Sequence, residues 1–175
     1  MENDLNAAKK RQVVYDLTEV LLASTGKLRY YGIARVVAEI GAELRKQDAS
    51  VRFAVFSQGH NELLEIFPTI RADGGVDLNV PIGIRQLRVR SHHYTKSIMR
   101  DLVLAAVRPL VGRRNRKAWE AIAPDMTPID MSGKTLVSCG RPKLIVEILC
   151  TLDRKGVSCD IIPLLHDMIP MHDFE

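Results

Sequence analysis

The chain lacks the short signatures of several enzyme classes. Its three cysteines, Cys139, Cys150 and Cys159, form neither a CxxC pair nor a Cys/His zinc spacing. It has no Asp-x-Asp metal motif, no Gly-x-Ser-x-Gly nucleophile elbow and no His-Glu-x-x-His helix. No two of its nine glutamates stand eight positions apart, so Glu-x7-Glu is missing as well. Aromatic residues are only 5% of the chain, which argues against a carbohydrate module built on stacked Trp and Tyr. No apolar run approaches the ~18 residues that span a bilayer. The opening MENDLNAAKKRQ is polar and has no apolar leader. An odd cysteine count without a leader suits a reduced compartment. The expected location is cytoplasmic, with room for contact at the inner face of a membrane.

What is present fits one globular domain. The 175 residues are 46% hydrophobic and 26% charged, ordinary values for a chain that buries a core. The net charge of +4 hides an asymmetry. Between Arg85 and Lys117 stand ten basic residues and one acid, Asp101, a local excess of +9. The other fifteen basic and twenty acidic residues leave −5 elsewhere. A split of this kind points one face toward something anionic.

Patterning predicts alternating strands and helices. QVVYDLT (12–18) reads as a buried strand, and EVLLASTGKLRYYG after it as a loop around a short turn. IARVVAEIGAELRKQ (33–47) has apolar residues at 33, 36, 37, 40 and 44 and reads as an amphipathic helix with basic residues at its C-terminus. SVRFAVFSQG (50–59) is a strand, NELLEIFP (61–68) a helical turn stopped by Pro68, and 71–83 a turn-rich stretch. IRQLRVR (84–90) reads as an edge strand or an extended loop. The stretch 94–111 predicts a helix packing Ile98, Met99, Leu102, Val103, Ala106 and Leu110 on the sheet, followed by a basic turn and a short helix around Trp119. KTLVSCG (134–140) is a strand, 141–156 a helix with Pro142 in its first turn, and 157–170 a last strand running into His166-Asp167. The expected fold is α/β, a Rossmann-like parallel sheet flanked by helices. In such sheets ligands bind outside the carboxyl ends of the strands.

Three constellations carry chemistry. In TGKLRYYGIARV, Gly26 and Gly32 precede a helix, and Lys27, Arg29 and Arg35 bring positive charge. A helix start of this kind holds an anion on free N–H groups, or is simply a basic surface loop. No dinucleotide or P-loop fingerprint applies. In LLHDMIP, His166 and Asp167 place an imidazole and a carboxylate at a strand end; the alternative is a solvated turn capped by Asp167. The basic stretch 94–117 could lie against anionic lipid or leave its arginines in solvent. It has neither aromatic interleaving nor a nucleic-acid motif, so no nucleic-acid partner is expected.

Taken in order, Asp16-Leu17-Thr18, Gly32-Ile33-Ala34-Arg35, TLVSCGRPKLIVEIL and His166-Asp167-Met168-Ile169-Pro170 resemble the N-terminal domain of family 4 glycosyltransferases, the retaining GT-B type. The stretch 60–130 has no counterpart in that resemblance. The resemblance implies the acceptor-side half of a two-lobed enzyme, with residues 1–175 forming one Rossmann-like lobe incomplete at its C-terminus. The donor lobe, which carries Glu-x7-Glu in the family, would be absent, and the lobe alone would be inactive. It implies a hexosyltransferase acting in polysaccharide biosynthesis, which moves a sugar from a nucleotide-sugar to a saccharide or lipid-linked glycan acceptor. It also implies catalytic roles for His166 and Asp167, substrate contacts from Gly32, Ile33, Arg35 and Arg29, and no metal or other cofactor. A different class of reading stays open: a Rossmann-like binding domain or partner subunit without catalysis.

Overall fold

The computed structural model describes residues 11–24, 32–86 and 98–164. Strand β1 (Val13–Asp16) passes directly into helix α1 (Thr18–Ala23), and helix α2 (Ile33–Gln47) leads back to strand β2 (Arg52–Ser57). Strand β3 (Glu62–Ile66) follows, then the short strands β4 (Thr69–Ile70) and β5 (Val76–Asp77). Helix α3 (Ile98–Ile122), strand β6 (Thr135–Ser138), helix α4 (Pro142–Arg154) and strand β7 (Asp160–Pro163) complete the described chain. The main sheet runs β3-β2-β1-β6-β7, and β4 and β5 pair as a separate ribbon. Strands β1, β2, β6 and β7 are parallel. The protein is therefore α/β, with a mostly parallel five-stranded sheet flanked by helices, compatible with a Rossmann-like fold.

The period of two along a strand explains the two cores. Tyr15 and Leu17 point into one cluster with Val37 of α2, Phe53, Val55 and Trp119. Val14 points into the other with Phe56, Leu136 and the α4 residues Leu144 and Ile148. Both sheet faces are covered, so the central strands read as continuous apolar runs rather than alternating ones. In α2 the buried line is Ala34, Val37, Ala38 and Gly41, whereas Val36, expected on the apolar face, is exposed.

Four expectations are corrected. The stretch after β1 is a helix, α1, rather than a loop: Val20 and Leu21 are buried in the first cluster and hold it there. NELLEIFP forms the antiparallel edge strand β3 instead of a helical turn, so the sheet is not wholly parallel. Asn61 takes a positive φ of 53°, which closes a tight turn from β2. The adjacent Leu63 and Leu64 looked like a helical pair, yet each enters a different core, as strand geometry requires. The basic stretch after 111 is no turn, because α3 continues unbroken to Ile122. Lastly, the described side chains in the N-terminal half of α3 do not pack on the sheet: Leu102, Val103 and Leu110 are 63%, 58% and 63% exposed, while the side chains of Ile98 and Met99 lie outside the described residues. Only its C-terminal half is anchored, through the buried Asn115 and Trp119. Residues 84–86 are neither helix nor strand, and 87–90 lie outside the described residues.

The approach of α2 to the sheet depends on Gly41. A β-carbon there would lie 3.1 Å from Leu17 Cδ2 and 3.1 Å from Tyr15 Cε1. The Tyr15 ring cannot easily yield, because its hydroxyl donates to the Val37 carbonyl at 3.0 Å and its edge packs on Phe53. Alanine gains about 1 kcal/mol of helix propensity over glycine, but crowding a packed core costs about 1–3 kcal/mol. Gly41→Ala is therefore expected to destabilise the fold by roughly 1 kcal/mol in urea unfolding; a gain in stability would show that the helix shifts freely.

Candidate functional site at the carboxyl edge of the sheet

The chain leaves β1 for β2 on one side and returns through β6 on the other. This reversal between β1 and β6 is the topological switch point, where open α/β sheets form a crevice. Helices α2 and α4 each begin at the same carboxyl edge, since each runs back over the sheet to the start of the next strand.

The crevice floor is organised by one buried carboxylate. Asp16, at the end of β1, is 1% exposed and sits level with Ser138 at the end of β6. Its Oδ1 accepts from the Thr18 amide at 2.9 Å and from the Thr18 hydroxyl, and its Oδ2 accepts from the Ser138 hydroxyl at 2.7 Å. The Thr18 oxygen in turn accepts from the Phe56 amide of β2 at 2.8 Å. One side chain thus links the ends of β1, β2 and β6. Burial pushes the Asp16 carboxyl above its ordinary value; its three hydrogen bonds oppose that shift, and the charge of Glu19 adds to it. With so little exposure, Asp16 holds the crevice in shape rather than meeting a ligand.

The start of α4 is filled by the chain's own carboxylate. Glu19 is buried on α1, and its Oε1 accepts from the Arg141 backbone N–H at 2.9 Å and from Arg141 Nε at 2.8 Å. A negative group belongs at this positive helix end. The start of α2 differs. Gly32 sits at its N-cap with φ +57°, a conformation that suits glycine, and no described side chain caps the helix. Among the described residues, nothing lies within 4 Å of where a Gly32 β-carbon would stand.

A polar group gathers at the end of β2. Gln58 Nε2 donates to Glu147 of α4 at 2.7 Å, and the Gln58 amide donates to Gln86 Oε1 at 2.7 Å. The Ser57 hydroxyl and His60 Nδ1 are 2.8 Å apart, and the His60 ring meets Trp119 edge to face. An amide, a carboxylate and an imidazole are the groups that hydrogen-bond sugar hydroxyls. The sequence reading missed this cluster and Glu19, and it named Asp16 only as part of the Asp16-Leu17-Thr18 motif, without a structural role. The only sequence signal was that Gln58 closes the predicted strand stretch 50–59 and His60 follows it. No group of three metal-ligating side chains converges among the described residues.

Of the residues expected to bind substrate, Gly32 and Ile33 stand at the start of α2, with Ile33 partly buried against the first core. Arg35 is exposed, and its Nε donates to Glu39 at 2.7 Å, so an incoming anion would compete with that carboxylate. Arg29, His166 and Asp167 lie outside the described residues. The described chain reaches Leu164, whose N–H donates to the Ser138 carbonyl at 2.9 Å, beside the crevice floor.

Comparison with family models, curated proteins and solved structures returns no match for this chain.

The Asp16 arrangement has a pH signature. The folded chain holds the Asp16 proton to higher pH than the unfolded chain, whose value is near 3.8. Between the two values the folded state binds more protons, so this group's contribution to stability is present at low pH and falls as pH rises through the raised value. Asp16→Asn keeps an acceptor for Thr18 and removes that dependence. Urea midpoints from pH 3.5 upward should therefore show the variant gaining on the wild type as pH rises. A stability gap independent of pH would mean that Asp16 ionises without cost.

Proposed function

We propose that this chain is the acceptor-side lobe of a retaining GT-B glycosyltransferase, which moves a sugar from a nucleotide-sugar to a saccharide or lipid-linked glycan. The observation that carries this reading is the convergence of its motifs at one sheet edge. Asp16-Leu17-Thr18 builds the crevice floor, Gly32 opens the start of α2, and the chain leaves β7 beside Ser138, two residues before His166. The switch point of an open α/β sheet is where such folds bind their ligands.

In this reading Gly32 lets a diphosphate approach the first amides of α2, where the helix dipole favours negative charge. His166 and Asp167 hold the transferred sugar's hydroxyls and stabilise charge developing at the reacting centre. Gln58, His60 and Glu147 face the acceptor's hydroxyls. Breaking the bond between the sugar and the diphosphate, with the acceptor oxygen taking its place, needs water excluded from the crevice. That in turn requires a second lobe closing over this one and holding the nucleotide. Without such a lobe, the same crevice would serve a non-catalytic binding subunit.

The test is transfer from a panel of nucleotide-sugars, read as released nucleoside diphosphate in the complete, two-lobed enzyme, with the product anomer assigned by NMR. His166→Ala should lower turnover by about a hundredfold or more, with the circular dichroism spectrum unchanged and the donor's anomeric configuration retained in the wild-type product. Near-normal turnover of the variant would remove His166 from the site. Saccharide binding without turnover would favour the binding subunit.

A further inference from the structure

Among the described residues, helix α3 is anchored at its C-terminal end only. Asn115 and Trp119 are each 1% exposed, and Arg116 Nη1 donates to the Gly59 carbonyl at 3.0 Å. A β-carbon on Gly59 would lie 2.7 Å from the Arg116 backbone nitrogen, so the helix meets the end of β2 backbone to backbone. The preceding turns stand off the domain: every residue whose burial is described between Leu102 and Leu110 is exposed.

The exposed turns are sided. With 3.6 residues per turn, Leu102, Val103, Ala106, Val107 and Leu110 fall within an arc of about 140°. Asn115 and Trp119, which mark the side facing the domain, lie opposite that arc. The same outward arc continues into Arg113, Arg114 and Lys117, all of which are exposed or partly so. One surface therefore presents large apolar side chains over about 12 Å and then a cluster of positive charge. Leucines and valines at 39–63% exposure are costly in water.

We propose that this face of α3 seats the protein on an anionic lipid bilayer. The apolar arc enters the acyl boundary, and Arg113, Arg114 and Lys117 meet lipid phosphates. The charge distribution selects this occupant. The stretch from Arg85 to Lys117 carries +9 against −5 for the rest of the chain, and α3 itself carries six basic residues against two acids, so this part of the chain is drawn to a negative surface while the remainder is repelled. A nucleic acid would satisfy the arginines and leave the leucines in water. A second copy would bring two positive clusters to one interface. No described helix is long and apolar enough to cross the membrane, so the contact is peripheral. Through Gly59 and His60 the seated helix adjoins the end of β2, which places the crevice near the lipid surface. The docking does not depend on the sugar-transfer reading.

The test is co-sedimentation of the full chain with vesicles of phosphatidylcholine alone and of equal phosphatidylcholine and phosphatidylglycerol. Binding is expected to the mixed vesicles only and to weaken with salt. Leu102→Ser with Leu110→Ser, and separately Arg113→Glu with Arg114→Glu, should each lower partitioning at least about tenfold. All four side chains are exposed, so the circular dichroism spectrum should not change. Salt titration of the unmodified chain gives a second reading that needs no variant. Equal binding to both vesicle types, or binding unchanged in either variant, would overturn the proposal. So would oligonucleotide binding without vesicle binding, or a dimer abolished by the leucine variant in a chain that ignores vesicles.

Discussion

A carboxylate buried among hydroxyl and amide donors is the constraint on which the rest of this fold depends. Removing a charge from water is expensive unless its lone pairs are filled. Asp16 fills them with the Thr18 amide and hydroxyl and the Ser138 hydroxyl, groups that belong to the ends of two strands and the start of α1. Phe56 extends the chain of donors to a third strand. These bonds form only if β1, β2 and β6 end at matching heights, so the carboxylate fixes the level of the crevice floor. Glu19, one turn later, ties α1 to the start of α4 by the same chemistry. Polar groups at this edge thus specify register, while the two apolar clusters supply the bulk of the burial.

The elements legible in the sequence were those with an unambiguous period and clear ends. Helix α2 spans 33–47 as expected, and α4 begins at Pro142 and ends before Gly156. Strands β1, β2, β6 and β7 fall inside their predicted stretches. The failures share a cause, since local pattern cannot tell which surface a side chain will meet. Leu63-Leu64 suits a helix face or a strand buried on both sides, and only the neighbouring β2 decides. The apolar arc of α3 has the pattern of a core helix, yet it faces away from the core. At the site, Gly32 was legible because glycine before a helix has a backbone meaning. The linking roles of Asp16, Glu19 and Gln58 were not, because the partners that define them lie 122, 122 and 89 residues away in the chain.

The two halves of α3 connect the chain's charge asymmetry to its crevice. The anchored half meets the end of β2 at Gly59, and His60 packs against Trp119. The projecting half carries exposed apolar and basic residues outward from that point. The basic, exposed part of the chain and the polar cluster at the end of β2 are thus joined by one helix.

The most direct test of the central claim is amide NMR of the isotope-labelled chain titrated with acceptor oligosaccharides and nucleotide-sugars. A crevice at the switch point predicts shifts confined to the carboxyl edge: residues 32–36, 57–60 and 138–141. Shifts clustered instead at the opposite edge, around 48–51, 133–134 and 156–159, would contradict it, as would a spectrum unmoved by any of these ligands.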